Sequence, residues 1–153
     1  MSSSKANKPI VEFRGVTVRF GSFTALHDVS FAIDDAPNRG EFITIVGPSG
    51  CGKSTILNLI AGFLQPTTGE VFVGGQTVPG PGRDRGMIFQ QYSSFPHLTV
   101  FENVLFGLNI NKQESGLDRP GRSNRAKELI EQVGLSGHEN KYPHQLSGGQ
   151  QQR

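Results

Sequence analysis

The chain has 153 residues, a formal net charge of +2, 35% hydrophobic residues and one cysteine. That length supports one domain with a real core, and no apolar run approaches the roughly 20 residues of a membrane-spanning helix. The near balance of charge argues neither for nor against nucleic acid or acidic lipid, while the lone Cys51 excludes an internal disulfide and fits a reducing compartment.

Residues 1–8 are polar, lack the apolar core of a signal peptide and are expected to form a disordered tail. Ile10–Phe13 and Val16–Phe20 read as two strands joined near Gly15, and Val29–Ile33 as a third. Asp34–Gly40 is a turn cluster, with Asp34 and Asp35 as turn residues. Phe42–Val46 is a short, apolar, β-branched run, which predicts a buried parallel strand. Next comes Gly47-Pro48-Ser49-Gly50-Cys51-Gly52-Lys53-Ser54-Thr55, with two glycines, then Lys and Ser at the spacing of a phosphate-binding loop. Glycines let the backbone curl and turn its N–H groups inward. Lys53 offers a point charge to outer phosphates, Ser54 a hydroxyl to a phosphate-bound Mg²⁺, and the helix beyond adds the positive end of its dipole. Cys51 in this loop reads as a small side chain that fits, not as a catalytic thiol.

Ile56, Leu57, Leu59, Ile60 and Phe63 recur at helical spacing, and the helix should stop near Gly62. Glu70–Val73 is a predicted strand followed by a tight Gly74-Gly75 turn. Pro79–Gly82 is loop, and Gly86–Phe89 a predicted short buried strand. The second half is more helical. Thr99-Val100-Phe101-Glu102 has the form of a capping box before a helix. Residues 111–122 read as a surface connection, and Ser123 as the cap of a helix running to about Val133, ended by Gly134. Leu146-Ser147-Gly148-Gly149-Gln150 places a hydroxyl and two small residues at a helix start, a second possible anion cradle.

With these motifs in this order, residues 10–153 resemble the nucleotide-binding domain of ABC transporters. The resemblance implies an α/β fold: a P-loop NTPase core with N-terminal antiparallel β strands and a helical insertion. It implies a tail at 1–8, a β/P-loop core at 9–90, a Q-loop and helical subdomain at 91–145, and the signature motif at 146–153. Gly47–Thr55 looks like the Walker A loop and Leu146–Gln150 like the signature motif. Met87–Gln91 resembles the Q-loop, which places its glutamine at Gln90. The implied ligands are ATP and Mg²⁺. Lys53 and the loop amides would hold phosphates, Ser54 and Gln90 the Mg²⁺, and Gln90 also the attacking water. Phe20 sits where the family stacks an aromatic ring on adenine; Phe23 is the less favoured candidate. Ser147 and Gly149 would meet the ATP of a second subunit, in a homodimer or a pair with another ABC ATPase subunit. Tyr92, Phe95 and Pro96 would face integral membrane permease subunits, with His97 structural or interfacial, and the protein would lie on the cytoplasmic face of the membrane. Leu64–Glu70 and Pro81–Gly86 look like importers of the nitrate, sulfonate and taurine group.

The family pattern continues with an apolar strand ending Asp-Glu (Walker B and the catalytic base), a D-loop and a switch histidine. None is found in 1–153, since His138 and His144 precede the signature motif, so this stretch reads as truncated before the Walker B strand and by itself poorly stable and nearly inactive. Two rival readings are a soluble ABC ATPase of DNA repair or translation and a non-catalytic nucleotide-binding fragment. The stretch Tyr92–Leu98 and the lack of coiled-coil heptads or a basic stripe favour transport, with no nucleic acid as partner.

Overall fold

The computed structural model describes residues 9–36, 39–89, 93–111, 113 and 116–153. The chain forms two compact units, residues 1–87 and 88–153.

In the first unit, β1 (Pro9–Phe20) pairs antiparallel with β2 (Phe23–Asp34) and with β3 (Thr68–Val73), and β3 pairs with the short β4 (Gln76–Thr77). The sheet order is β2-β1-β3-β4. The two strands expected on either side of Gly15 are one strand with an irregularity between Phe13 and Val16. Gly15 has φ +58°, and its N–H donates to Ser30 Oγ at 2.8 Å. An inserted residue shifts the inward phase of the pleat. Hence Phe13 is buried before the bulge and Val16 and Val18 after it. Gly74 and Gly75, both at positive φ, make the two-residue turn between β3 and β4, as such a hairpin demands.

Helix α1 (Lys53–Ala61) lays Ile56, Leu59 and Ile60 on this sheet, against the cluster of Phe13, Val16, Val18, Leu26 and Val71. Each such side chain removed from water contributes about 1.5–3 kcal/mol. The helix ends as the sequence predicts, with Gly62 at φ +82° and the Phe63 N–H donating to Asn58 O at 2.9 Å.

Two predicted strands do not form. Phe42–Val46 is irregular, with Phe42 96% and Val46 82% exposed, and Gly86–Phe89 is irregular, with Ile88 95% exposed. A buried parallel strand needs parallel neighbours to satisfy its backbone and cover both faces. The sheet of the described residues is wholly antiparallel and includes neither segment.

In the second unit, α2 (Val100–Ile110) and α3 (Arg119–Gln132) pack around Val100, Ile130 and Leu135, with Phe101, Val104 and Leu146 alongside. Thr99 and Glu102 form the predicted capping box. The cap of α3 is Asp118, not Ser123, and its carboxylate accepts from the Gly121 N–H at 2.8 Å. Pro120 explains the earlier start, because proline is favoured in a first helical turn; Ser123 lies inside the helix. A single 3₁₀ turn at Pro143–Gln145 leads to α4 (Gly148–Gln151).

Candidate functional site

The phosphate loop is built on β2 and α1. Gly52 is the N-cap of α1 and has φ +94°. A Cβ there would come 2.6 Å from Leu26 Cδ2 and 3.1 Å from Ala25 O, so glycine lets the loop press onto β2. The loop curls so that the Lys53 ammonium donates to Gly47 O at 2.9 Å and Pro48 O at 2.6 Å. Cys51 is exposed, with its sulfur 3.6 Å from Lys53 Nζ. Helix α1 has no side-chain cap and no acidic residue in its first turn. Its leading N–H groups therefore keep their donor capacity and the helix dipole is not offset by a carboxylate. A curled glycine loop, an ammonium at its mouth and an uncapped helix start make a donor set that fits a phosphate chain. Ser54 follows at the second position of the helix, exposed, while Thr55 is half-buried.

Phe20 and Phe23 face each other in register at the end of the β1–β2 hairpin. Phe20 is 52% exposed and Phe23 is exposed as well, so neither ring belongs to the core. Strand geometry puts Phe23 about 10 Å along β2 from Leu26, the residue that touches Gly52. The exposed rings thus stand in the same unit as the phosphate loop, at the scale of a nucleoside.

The signature-like motif belongs to the second unit. Leu146 packs beside Val100, Ile130 and Leu135 and ties the motif to the helical core. Ser147 caps α4: its hydroxyl accepts from the Gln150 N–H, and Gln150 Oε1 accepts from the Ser147 N–H at 3.0 Å. With its oxygen so engaged, the Gln150 amide nitrogen faces His138 Nε2 at 3.0 Å and donates to it. Gly148 opens the helix, and a Cβ on Gly149 would meet nothing within 4 Å, leaving that surface clear. Gln90 and Tyr92 lie outside the described residues. Phe95 and Pro96 are described and exposed, with the Phe95 ring edge-on to Phe106 at 4.7 Å and to His97 at 5.9 Å.

Sequence reasoning passed over Asn103, whose amide bonds four backbone atoms of residues 95–99. The available signal was a carboxamide in the first turn of a helix, directly after the capping box. It also passed over the link between His138 and Gln150, which no spacing rule would reveal.

A strand hairpin, glycine loop and helix so joined define a phosphate-loop nucleotide-binding fold. The ABC transporter family model matches residues 26–153, and the chain belongs to that family. It is 48% identical to the sulfate/thiosulfate import ATP-binding protein of Chromobacterium violaceum, over 88% of this chain and 35% of that protein. It is 49% identical to the spermidine/putrescine import ATP-binding protein of Rubrobacter xylanophilus, over 94% of this chain and 37% of that one. A dimeric ATP-binding cassette solved in a post-hydrolysis state with ADP and Pi matches at TM-score 0.72 and 35% identity, covering 92% of this chain and 65% of that structure. The chain spans about half the length, or less, of the curated relatives it matches. Among the described residues no helix is long and apolar enough to cross a membrane.

Proposed function

We propose that these residues form the nucleotide-binding part of the ATP-binding subunit of an ABC importer. The observation that carries the reading is the Lys53 ammonium, held over a curled glycine loop at an uncapped helix start, in a chain this similar to import ATP-binding proteins. Lys53 and the amides of Gly47–Thr55 hold the phosphates, and Phe20 stacks on the base. Ser54 and Gln90 hold Mg²⁺, which neutralises charge on the phosphates, and Gln90 also orients the attacking water. Leu146–Gln150 presents Ser147 and Gly149 to the nucleotide of a second subunit. Residues 9–90, 91–145 and 146–153 divide these tasks. Two subunits pair and dock through Tyr92, Phe95 and Pro96 on membrane permease subunits, at the cytoplasmic face.

The relatives are named for sulfate, polyamine and Fe(3+) import. For the solute we propose the nitrate, sulfonate and taurine class, supported by the resemblance of Leu64–Glu70 and Pro81–Gly86. Loss of labelled taurine, alkanesulfonate or nitrate uptake on deletion of the gene supports that class; loss of sulfate or polyamine uptake alone overturns it. The nucleotide reading is tested by titrating ATP into the full-length gene product and its Lys53→Ala variant. The variant should bind at least 10-fold more weakly, in line with loss of a charge-assisted contact, and should not turn ATP over. Equal affinity and turnover would reject the reading. Residues 1–153 alone should hydrolyse ATP at background level, because the sequence includes no carboxylate placed as the family's general base; turnover abolished by Lys53→Ala in that stretch would contradict this.

A further inference from the structure

Residues Phe95-Pro96-His97-Leu98 form a tight turn immediately before α2, closed by the Leu98 N–H donating to Phe95 O at 3.2 Å. Proline at its second position pre-sets the backbone for such a turn. One hydrogen bond does little to hold an exposed turn against water. The Phe95 ring packs edge-on to Phe106 of α2, and the Asn103 carboxamide adds further hydrogen bonds. Asn103 Oδ1 accepts from the Phe95 N–H at 2.8 Å. Asn103 Nδ2 lies 3.1 Å from Phe95 O, 3.0 Å from Leu98 O and 2.9 Å from Thr99 O. The Phe95 N–H can only donate, so it fixes which end of the carboxamide is oxygen. Two amide hydrogens then serve three carbonyls. No other side chain of this size has both an acceptor and a two-hydrogen donor at that reach. Asn103 itself is anchored one turn into α2, its N–H donating to Thr99 O at 2.9 Å, below a complete capping box.

We propose that Asn103 is a positioning residue: it clamps the Phe95–Thr99 turn and so sets the pose in which Phe95 and Pro96 meet the membrane subunit. The second half of the statement rests on the docking role given to Phe95 and Pro96 above; the first rests on the hydrogen bonds alone. Aspartate at 103 keeps the acceptor for the Phe95 N–H and loses every donor. Alanine loses both. A residue that merely fills space would tolerate the isosteric aspartate, so a lowered yield in Asn103→Asp separates clamping from filling.

The test uses the full-length gene product with the membrane subunits that co-purify with it. Amide exchange at Phe95, nucleotide affinity and the yield of complex are read for the native protein, Asn103→Ala, Asn103→Asp and Phe95→Ala. Asn103→Ala should exchange the Phe95 amide at least 10-fold faster, bind ATP within about twofold of native, and lower the yield of complex at least fivefold. Asn103→Asp should keep most of the protection at Phe95 and still lower the yield. If Phe95→Ala leaves the yield unchanged, the docking role falls, and the positioning role with it. If Phe95→Ala lowers the yield but neither Asn103 variant does, the docking role stands and Asn103 is not its positioning residue. Should Asn103→Ala fail to fold, Asn103→Asp against Phe95→Ala decides alone: unchanged yield in the aspartate variant overturns the proposal.

Discussion

Lys53 and Gly62 sit nine residues apart, at opposite ends of one helix, and fail in different ways when changed. On the proposed reading Lys53 acts on the ligand, so its loss should leave folding intact. Gly62 acts on the chain: its φ is +82°, and a Cβ would overlap the Gly80 carbonyl oxygen. Gly62→Ala should therefore lower stability by about 2–4 kcal/mol, combining left-handed strain with a backbone clash. Chemical denaturation of the full-length protein reads this, and a loss below about 0.5 kcal/mol would mean that the 80–81 backbone moves aside freely. Phe20 belongs to a third kind. As an exposed ring it stabilises little, so Phe20→Ala should leave the melting temperature within about 2 °C and weaken ATP binding about 5–10-fold, a stacking-sized effect. Binding of inorganic triphosphate, which has no base, should not change. If both ligands weaken equally, Phe20 shapes the loop and does not stack. The glycines and Lys53 were legible as single letters, because only glycine adopts these backbone angles cheaply and only a cation suits that mouth. Asn103 was not, because its role depends on four backbone atoms that the turn alone brings together.

At the scale of the element, helix α2 shows a local signal read correctly. Thr99 and Glu102 exchange their predicted bonds, with the Thr99 N–H donating to Glu102 Oε2 at 2.8 Å. That backbone bond, then the Thr99 hydroxyl, holds the Glu102 carboxyl below its ordinary value of 4.5. The sign follows: a carboxyl lowered in the folded state adds stability above its ordinary value and loses it as pH falls through the lowered one. Glutamine keeps an acceptor but does not titrate. The melting temperature of the native protein should thus fall relative to Glu102→Gln as pH drops below about 4.5; parallel curves would exclude a charged cap. Thr99→Ala should cost about 1 kcal/mol. Phe42–Val46 shows the reverse case. Its composition is that of a buried strand, yet strand pairing is not a local property. A run of β-branched residues states a preference, and a neighbouring backbone must complete it.

For the whole molecule, that incompleteness has a measurable consequence. Phe42, Val46 and Ile88 are almost fully exposed within residues 1–153. Exposed apolar segments outside a sheet invite association. Purified 1–153 should bind a hydrophobic dye strongly and elute as aggregates above micromolar concentration; a monodisperse, dye-silent 1–153 would refute this. The sequence by itself determined several features set within a few residues: the phosphate loop, the Gly62 stop, the glycine hairpin, the capping box at Thr99, the Ser147 cap, and through their order the family. Those features depend on the conformational range of one residue or on a bond three or four residues away. Tertiary structure alone decided that β1 runs unbroken through the Gly15 bulge, where Ser30 arrives from β2, and that Phe42–Val46 stays outside the sheet of the described residues. Each of these depends on which backbone arrives alongside, and hydrogen bonds between distant segments are satisfied only when the packed fold brings their partners within reach.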